Sequence, residues 1–236
     1  MNVIKPDDSV IIPSINRANI KAVFTTKHGD PKKEGILKEY IYQNSAKPDV
    51  ILERLLSGYP LKQVHGSSIY KFHSWFIGRR GDGMFTNRKF LPCVISVADC
   101  VPILIKNKNG TEVCAVHAGW KGLKKGIIKK AIDMFLGPAD NLESWIGPSI
   151  CQKNYEVSSN FFRSFFAVNS VYKSCFHTCG NKYFLNLQML AKLQLLESKI
   201  TNIDVVQRCV FEEASSFHSF RREKRIKKMS AIIWIE

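Results

Sequence analysis

Apolar positions along this chain recur with two periods, and the switches between them mark out the elements. One or two strands are expected in residues 1–30. Ile20 to Thr26 is β-rich, and His28-Gly29-Asp30-Pro31 reads as a turn. Residues 31–48 carry only weak periodicity, which predicts a loop or a short helix. From Asp49, the positions Val50, Ile51, Leu52, Leu55 and Leu56 follow helical spacing, and Gly58 and Pro60 end the run. Leu61 to Val64 predicts a strand entering His65-Gly66, and Ser67 to Phe76 continues extended. Gly81-Asp82-Gly83 is a tight turn before Met84 to Asn87.

The chain is organised around Ser96 to Lys125. Leading into it, Cys93 to Val97 is almost wholly apolar, as in a strand covered on both faces. The run breaks at Ala98-Asp99-Cys100 and resumes over Val101 to Ile105, with Pro102 fitting a starting or edge position. Lys106 to Gly110 has turn chemistry, Asn109-Gly110 is a strong hairpin signal, and Glu112 to His117 is the return strand. Gly119-Trp120-Lys121-Gly122 opens a helix. Its apolar face is Leu123, Ile127, Ile128, Ala131, Ile132 and Phe135, its lysines lie opposite, and Gly137-Pro138 ends it. Trp145 to Pro148 predicts a strand and turn. Ser159 to Val168 predicts a phenylalanine-rich helix, and Asn186 caps another from Leu187 to about Lys199. Ile203 to Phe211 and Ile232 to Ile235 predict strands. Strands and helices alternate with hairpins between them, so the expected class is a mixed-sheet α/β fold, with residues 1–236 as a single domain.

Composition narrows the picture. The 236 residues are 45% hydrophobic, enough for a substantial core. No apolar run reaches the ~18–20 residues that cross a bilayer. The start of the chain carries Asp7 and Asp8 without an apolar signal region, so the expected location is the cytoplasm. Seven scattered cysteines predict buried thiols plus one functional thiol, not a disulfide framework. A net charge of +15 attracts phosphate-bearing partners. No zinc-finger spacing, helix-turn-helix or RNA-recognition motif accompanies it, so solvated lysines are favoured over specific nucleic-acid binding.

Five groups of residues carry candidate chemistry. His65, Cys100 and His117 each end a predicted strand beside a small residue, and strand ends of one sheet can converge. Two imidazoles and a thiolate suit Zn²⁺ with an open fourth position, although their separations match no short zinc-finger pattern. Cys100 and His117 also suit a metal-free nucleophile and base, and the sequence leaves both readings open. Cys175-Phe176-His177-Thr178-Cys179 could be a metal loop, but it lacks a second pair and reads better as structural. The Gly119 to Gly122 turn could offer N–H groups to an anion. Arg221 and Arg222, after Ser216-Phe217-His218-Ser219-Phe220, could grip phosphate or form a solvated basic face.

The motifs KQVHG, DGMFT, SVADCVPILI, AVHAGWKGL, IGPSI, YEV and SFRR occur in this order. Together they resemble the YfiH-like laccase-domain family, also called multicopper polyphenol oxidases and peptidoglycan editing factors. The match runs from about Phe24 onward. The resemblance implies a mixed α/β sandwich related to cysteine-hydrolase toxins. It implies Zn²⁺, or copper, on His65, Cys100 and His117. It implies a monomeric cytoplasmic purine nucleoside phosphorylase that acts on adenosine, inosine and methylthioadenosine with phosphate, and also deaminates adenosine. In that reading Lys121 and Arg222 would contact phosphate, and Asp82 would make a polar contact to substrate. The alternatives are a Cys100–His117 hydrolase or amidase acting on cell-wall precursors, a copper polyphenol oxidase, or a nucleic-acid-binding protein. A multicopper site needs more histidines than the six present. Lys121 stands where the family has the arginine of Gly-Trp-Arg-Gly, His28-Gly29-Asp30 replaces a Gly-Gly-Val-Ser signature, and Arg225-Ile226-Lys227 replaces Thr-Gly-Arg. The family's segment between Asp30 and Lys62 is not legible. These departures bear on substrate binding more than on the metal ligands.

Overall fold

Strand periodicity decides which apolar residues meet. The computed structural model describes residues 3–4, 9–29, 35–58, 60–74, 77–166, 169–224 and 227–236. In chain order, β1 (Val3–Ile4), β2 (Val10–Ile12) and β3 (Ile20–Thr25) pair antiparallel. Two helices follow, α1 (Ile36–Asn44) and α2 (Pro48–Ser57). Pro48 opens α2, where a missing N–H leaves nothing unpaired. Short strands β4 (Leu61–Lys62), β5 (Ile69–Lys71), β6 (Arg79–Arg80) and β7 (Gly83–Thr86) lead to the longer β8 (Cys93–Val97), β9 (Val101–Asn107) and β10 (Val113–Ala118). The rest is α3 (Trp120–Lys124), α4 (Ile127–Ile132), β11 (Leu142–Ile146), β12 (Glu156–Val157), α5 (Ser159–Phe166), β13 (Phe176–Cys179), β14 (Lys182–Leu185), α6 (Leu187–Glu197), β15 (Asn202–Val205), α7 (Phe220–Glu223) and β16 (Met229–Ile235).

Two large sheets form the body. One has the order β1-β2-β3-β16-β8 and the other β15-β11-β9-β10-β7-β5. Alternation in the first sheet sorts its side chains between two cores. Val23, Val94, Ile232 and Trp234 face Leu37, Ile41, Ile51 and Leu55 of α1 and α2. Phe24, Ile95 and Ile233 face the second sheet, where Phe24 meets Trp145 with ring centroids 6.0 Å apart. Ile127, Ile128, Leu190 and Leu195 of α4 and α6 belong to this same larger core. The result is the mixed α/β architecture expected, with several sheets and no barrel.

One connection places the candidate site. β8 and β9 are separated only by Ala98-Asp99-Cys100, yet they lie in different sheets. The chain therefore crosses between sheets at Asp99, whose φ of +92° is left-handed and costly for a residue with a Cβ. Cys100 emerges at this seam. The Asn109-Gly110 hairpin forms as expected, with Gly110 at φ +66° between antiparallel β9 and β10. Pro102 is the second residue of β9, an interior strand, so the starting position holds and the edge position does not.

Several boundaries differ from the sequence pattern. The helix expected after Gly119 is two short helices, broken where Gly126 adopts φ +71°. Its apolar face is nevertheless continuous, because Leu123, Ile127 and Ile128 are all buried. Of the described part of the 31–48 segment, Ile36–Asn44 is helical and Pro48 begins α2. The strand expected over Leu61–Val64 stops at Lys62, and that expected over Ile203–Phe211 stops at Val205. Cys175 and Cys179 bracket a β-hairpin strand, not a metal loop: Cys175 is buried, and Cys179 and His177 are exposed. Asp30 and Pro31 of the early turn, Phe76, Val168, and Arg225-Ile226 lie outside the described residues.

Candidate metal centre

Three strand ends deliver three candidate ligands. His65 follows β4, Cys100 lies between β8 and β9, and His117 is near the end of β10. One ligand atom from each lies within 4.8 Å of the other two. The two imidazoles meet edge to face with centroids 4.8 Å apart. Exposure is graded: His117 is buried, Cys100 is intermediate and His65 is exposed, so the cluster opens to one side.

Asp82 organises this cluster. It is fully buried, and its carboxylate accepts 2.8 Å from His117 Nδ1, 2.9 Å from the His65 N–H and 2.7 Å from the Gly66 N–H. Its backbone carbonyl accepts from the His117 N–H at 2.8 Å. The left-handed His65 backbone, φ +56°, aims three consecutive N–H groups at this carboxylate, the third from Val64 at 3.3 Å. Burial pushes the Asp82 carboxyl up, but the His117 bond and the backbone N–H groups outweigh it and hold it below the usual carboxylate range. An ionised Asp82 only accepts, so His117 Nδ1 donates, and the lone pair of the neutral ring is left on Nε2. The structure places Asp82, expected to make a polar contact to substrate, behind the imidazole. The side chain sits behind His117, spends its lone pairs on the protein and does not line the cavity.

Cys100 and His117 perturb each other. Burial raises the Cys100 thiol, but the His117 and His65 imidazoles outweigh it and bring it well below an ordinary thiol. Burial lowers His117, while Cys100 and Asp82 carry it above an ordinary imidazole. The site favours a thiolate beside an imidazolium, the charge arrangement that a divalent cation replaces on displacing the imidazolium proton. Gly119 leaves the room required, because a Cβ there would lie 3.1 Å from Cys100 Sγ and 3.3 Å from His65 Cδ2. Two imidazoles, one thiolate and a carboxylate-braced ring fit a three-ligand zinc site with one open position.

The cluster floors a cavity of about 440 Å³. Its walls are aromatic: Trp120 packs on Phe161 at 4.6 Å, Tyr155 lies under the Arg221 guanidinium at 5.1 Å, and Phe220 is half exposed. Its rim is basic, with Arg221, Lys224, Lys227 and Lys228. Burial, reinforced by Cys100, holds the Tyr155 phenol above its ordinary value, so it remains a hydrogen-bond donor.

Two expected anion contacts are placed elsewhere. Arg222 donates to the carbonyls of Val210 at 2.7 Å, Phe211 at 2.6 Å and Phe217 at 2.6 Å, and to Glu223 at 2.6 Å. Its guanidinium is consumed in holding the loop before α7, and Arg221 faces the cavity instead. Lys121 is exposed, with its ammonium 5.4 Å from the Trp120 ring, outside the cavity lining. Residues that sequence reasoning passed over complete the site. Gln63 exchanges two 2.8 Å hydrogen bonds with the Ser96 backbone, tying the His65 segment to β8. Asp99 accepts 2.6 Å bonds from Ser219 Oγ and the Arg221 N–H, so the turn beside Cys100 anchors the start of α7. Gln63 lay within KQVHG and Asp99 within SVADC, but only their cross-sheet partners reveal their roles.

The chain is 34% identical over 176 residues to the protein named purine nucleoside phosphorylase YfiH of Shigella flexneri, covering 74% of this chain and 72% of that one. It is 33% identical over 176 residues to the protein of that name from Escherichia coli K12, with the same coverage. A crystal structure of a Neisseria meningitidis protein superposes with a TM-score of 0.81 over 97% of this chain and 99% of that one. At 23% identity it establishes the shared fold. Residues 49–236 match the family described as multi-copper polyphenol oxidoreductase laccase, and all three candidate ligands, Asp82 and the SFRR segment fall within that span, so the chain belongs to this family.

Proposed function

We propose that this protein is a metal-dependent purine nucleoside phosphorylase, acting on adenosine, inosine and methylthioadenosine, with a minor activity in which water displaces the C6 amino group of adenosine as ammonia. The observation that carries this reading is the convergence of His65, Cys100 and His117 under an aromatic cavity with a cationic rim. The names of the relatives point the same way.

His65, Cys100 and His117 would hold Zn²⁺. When bound, the ion supplies Lewis-acid polarisation of an oxygen presented to it. The other tasks fall to the chain. Asp82 fixes the His117 ring and its tautomer. Trp120, Tyr155 and Phe220 offer ring faces and edges to a purine, contacts worth about 1–3 kcal/mol per stacked base. Arg221, itself stacked on Tyr155, presents its free N–H groups to phosphate beside the ribose, and Lys224 adds charge at the mouth. The Tyr155 phenol donates to an oxygen or ring nitrogen of the bound nucleoside.

A second reading rests on the Cys100 thiolate, His117 imidazolium and Asp82 carboxylate, an arrangement that also suits a metal-free acyl-transfer enzyme such as an amidase. The copper oxidase reading is less well supported, because among the described residues only two histidines share a ligand cluster. The deciding experiment incubates the zinc-loaded protein with each nucleoside and phosphate and measures free base, ribose 1-phosphate and ammonia. Phosphorolysis abolished by chelation and restored by zinc is expected. No base release, or amidase activity that survives chelation and dies on alkylation of Cys100, rejects the phosphorylase in favour of the second reading.

A further inference from the structure

A second cysteine cluster lies in a separate groove of about 920 Å³, away from the residues of the metal centre. Cys151 follows β11 and Cys209 follows β15. These strands run parallel, and the ladder is extended by an isolated bridge between Ser149 and Cys209. The two sulfurs are 2.7 Å apart, inside van der Waals contact, against about 2.05 Å for a covalent disulfide. Cys151 is partly exposed on the groove, and Glu212 Oε1 lies 3.7 Å from its sulfur. Lys153 at 2.7 Å and the Asn154 amide at 2.8 Å hold that carboxylate ionised. The Asn154 amide also lies 3.1 Å from Cys151 Sγ, and the Cys151 N–H lies 3.2 Å from Cys209 Sγ.

We propose that Cys151 and Cys209 form a reversible disulfide when the protein meets a peroxide. The Cys151 sulfur attacks one oxygen of hydrogen peroxide, breaking the O–O bond, as its proton passes by way of Glu212. The other oxygen leaves as water on receiving that proton, and Cys151 becomes a sulfenic acid. The Cys209 sulfur then attacks the Cys151 sulfur. The S–O bond breaks, a second water leaves carrying the Cys209 proton, and the S–S bond forms. Two thiols lose two electrons in total, and one peroxide is reduced to two waters. A zinc site fits this cluster less well. Two thiolates on one tetrahedral zinc stand ~3.8 Å apart, given bonds of about 2.3 Å, and Lys153 and Asn154 already occupy Glu212.

The bond would join two segments that brace the cavity wall. Val210 and Phe211, next to Cys209, accept from Arg222, while the Asn154 and Glu156 carbonyls accept from Arg221 at 3.5 and 3.4 Å. Oxidation therefore staples the supports of α7 together. This inference is independent of the catalytic reading.

The test treats the reduced full-length chain with hydrogen peroxide, alkylates the remaining thiols and maps peptides without reduction. The expected result is one linked pair, Cys151 with Cys209, reversed by dithiothreitol, with Tm raised by roughly 5–10 °C. Cys151→Ser and Cys209→Ser lose both the link and the shift, whereas Cys179→Ser keeps both. Full alkylation of Cys151 and Cys209 after peroxide, linkage to another cysteine, or a chain-to-chain bond overturns the proposal. So does zinc retained by Cys100→Ala and lost on Cys151→Ser, which would make the cluster a metal site.

Discussion

Cys100 and Cys151 stand in superficially similar clusters, each with two further groups that could hold a metal ion. Their partners differ. Cys100 faces two imidazoles, which can be cationic, and its thiol is brought well below the ordinary value despite burial. Cys151 faces another thiol and a carboxylate. Burial and Cys209 push its thiol up, and the Asn154 amide only partly opposes them. A cysteine's chemistry is set by the charge its neighbours can carry, not by burial alone. The first cluster suits a cation, and the second suits a covalent bond between its sulfurs.

The largest test of this contrast is removal of each sulfur. Cys100→Ala is expected to abolish zinc binding and lower phosphorolysis by about 10³-fold, while Cys151→Ser leaves zinc content unchanged, as checked by elemental analysis and base release. Equal zinc loss in both would erase the distinction. Next comes the support of the imidazole. Asp82→Asn keeps the shape but weakens the acceptor for His117 Nδ1–H, and a 10–100-fold loss of zinc affinity is expected by titration against a chelator.

The two arginines sharpen the contrast between lining and support. Arg221→Ala should raise KM for phosphate about 10-fold with little change in Tm, because its longer bonds leave it free to serve the cavity. Arg222→Ala should instead cost about 2–4 kcal/mol in denaturant unfolding, because three carbonyls lose their donor. Reversed effects would restore Arg222 as the phosphate contact. Gly119→Ala should cost about 1 kcal/mol and weaken zinc binding, since the added methyl crowds Cys100 and His65.

The smallest effect is acid sensitivity in the metal-free protein. The folded Asp82 carboxyl is held below its ordinary value, so its contribution to stability is present above about pH 4 and is lost as pH falls through the folded value. Thermal melts from about pH 5 to about pH 3 should fall less steeply for Asp82→Asn than for the parent chain. Parallel curves would mean that the carboxylate is not held ionised by its partners.

Much of the fold was legible because burial imposes periodicity on a single strand or helix. The continuous run Cys93–Val97 announced a strand covered on both faces, and Asn109-Gly110 announced its hairpin. The break at Gly126 was not legible, because the apolar face continues across it and only the backbone changes hand. The candidate ligands were identified from residue type, strand ends and motif resemblance, whereas the different surroundings of Arg221 and Arg222 were not legible, because adjacent arginines look equivalent in a linear pattern. α7 turns one toward the cavity and the other toward backbone carbonyls.

The sequence by itself determined the mixed α/β class, the main helices and strands, and the residues able to act as soft and imidazole ligands. Those properties follow from local spacing and side-chain chemistry. Tertiary structure decided that His65, Cys100 and His117 share one point, that Asp82 braces His117 and the 64–66 backbone, and that Cys151 meets Cys209. These depend on the crossing between sheets at Asp99, on the pairing of β7 with β10, or on the parallel pairing of β11 and β15. Contacts between segments distant in sequence are set by packing, which no single segment encodes.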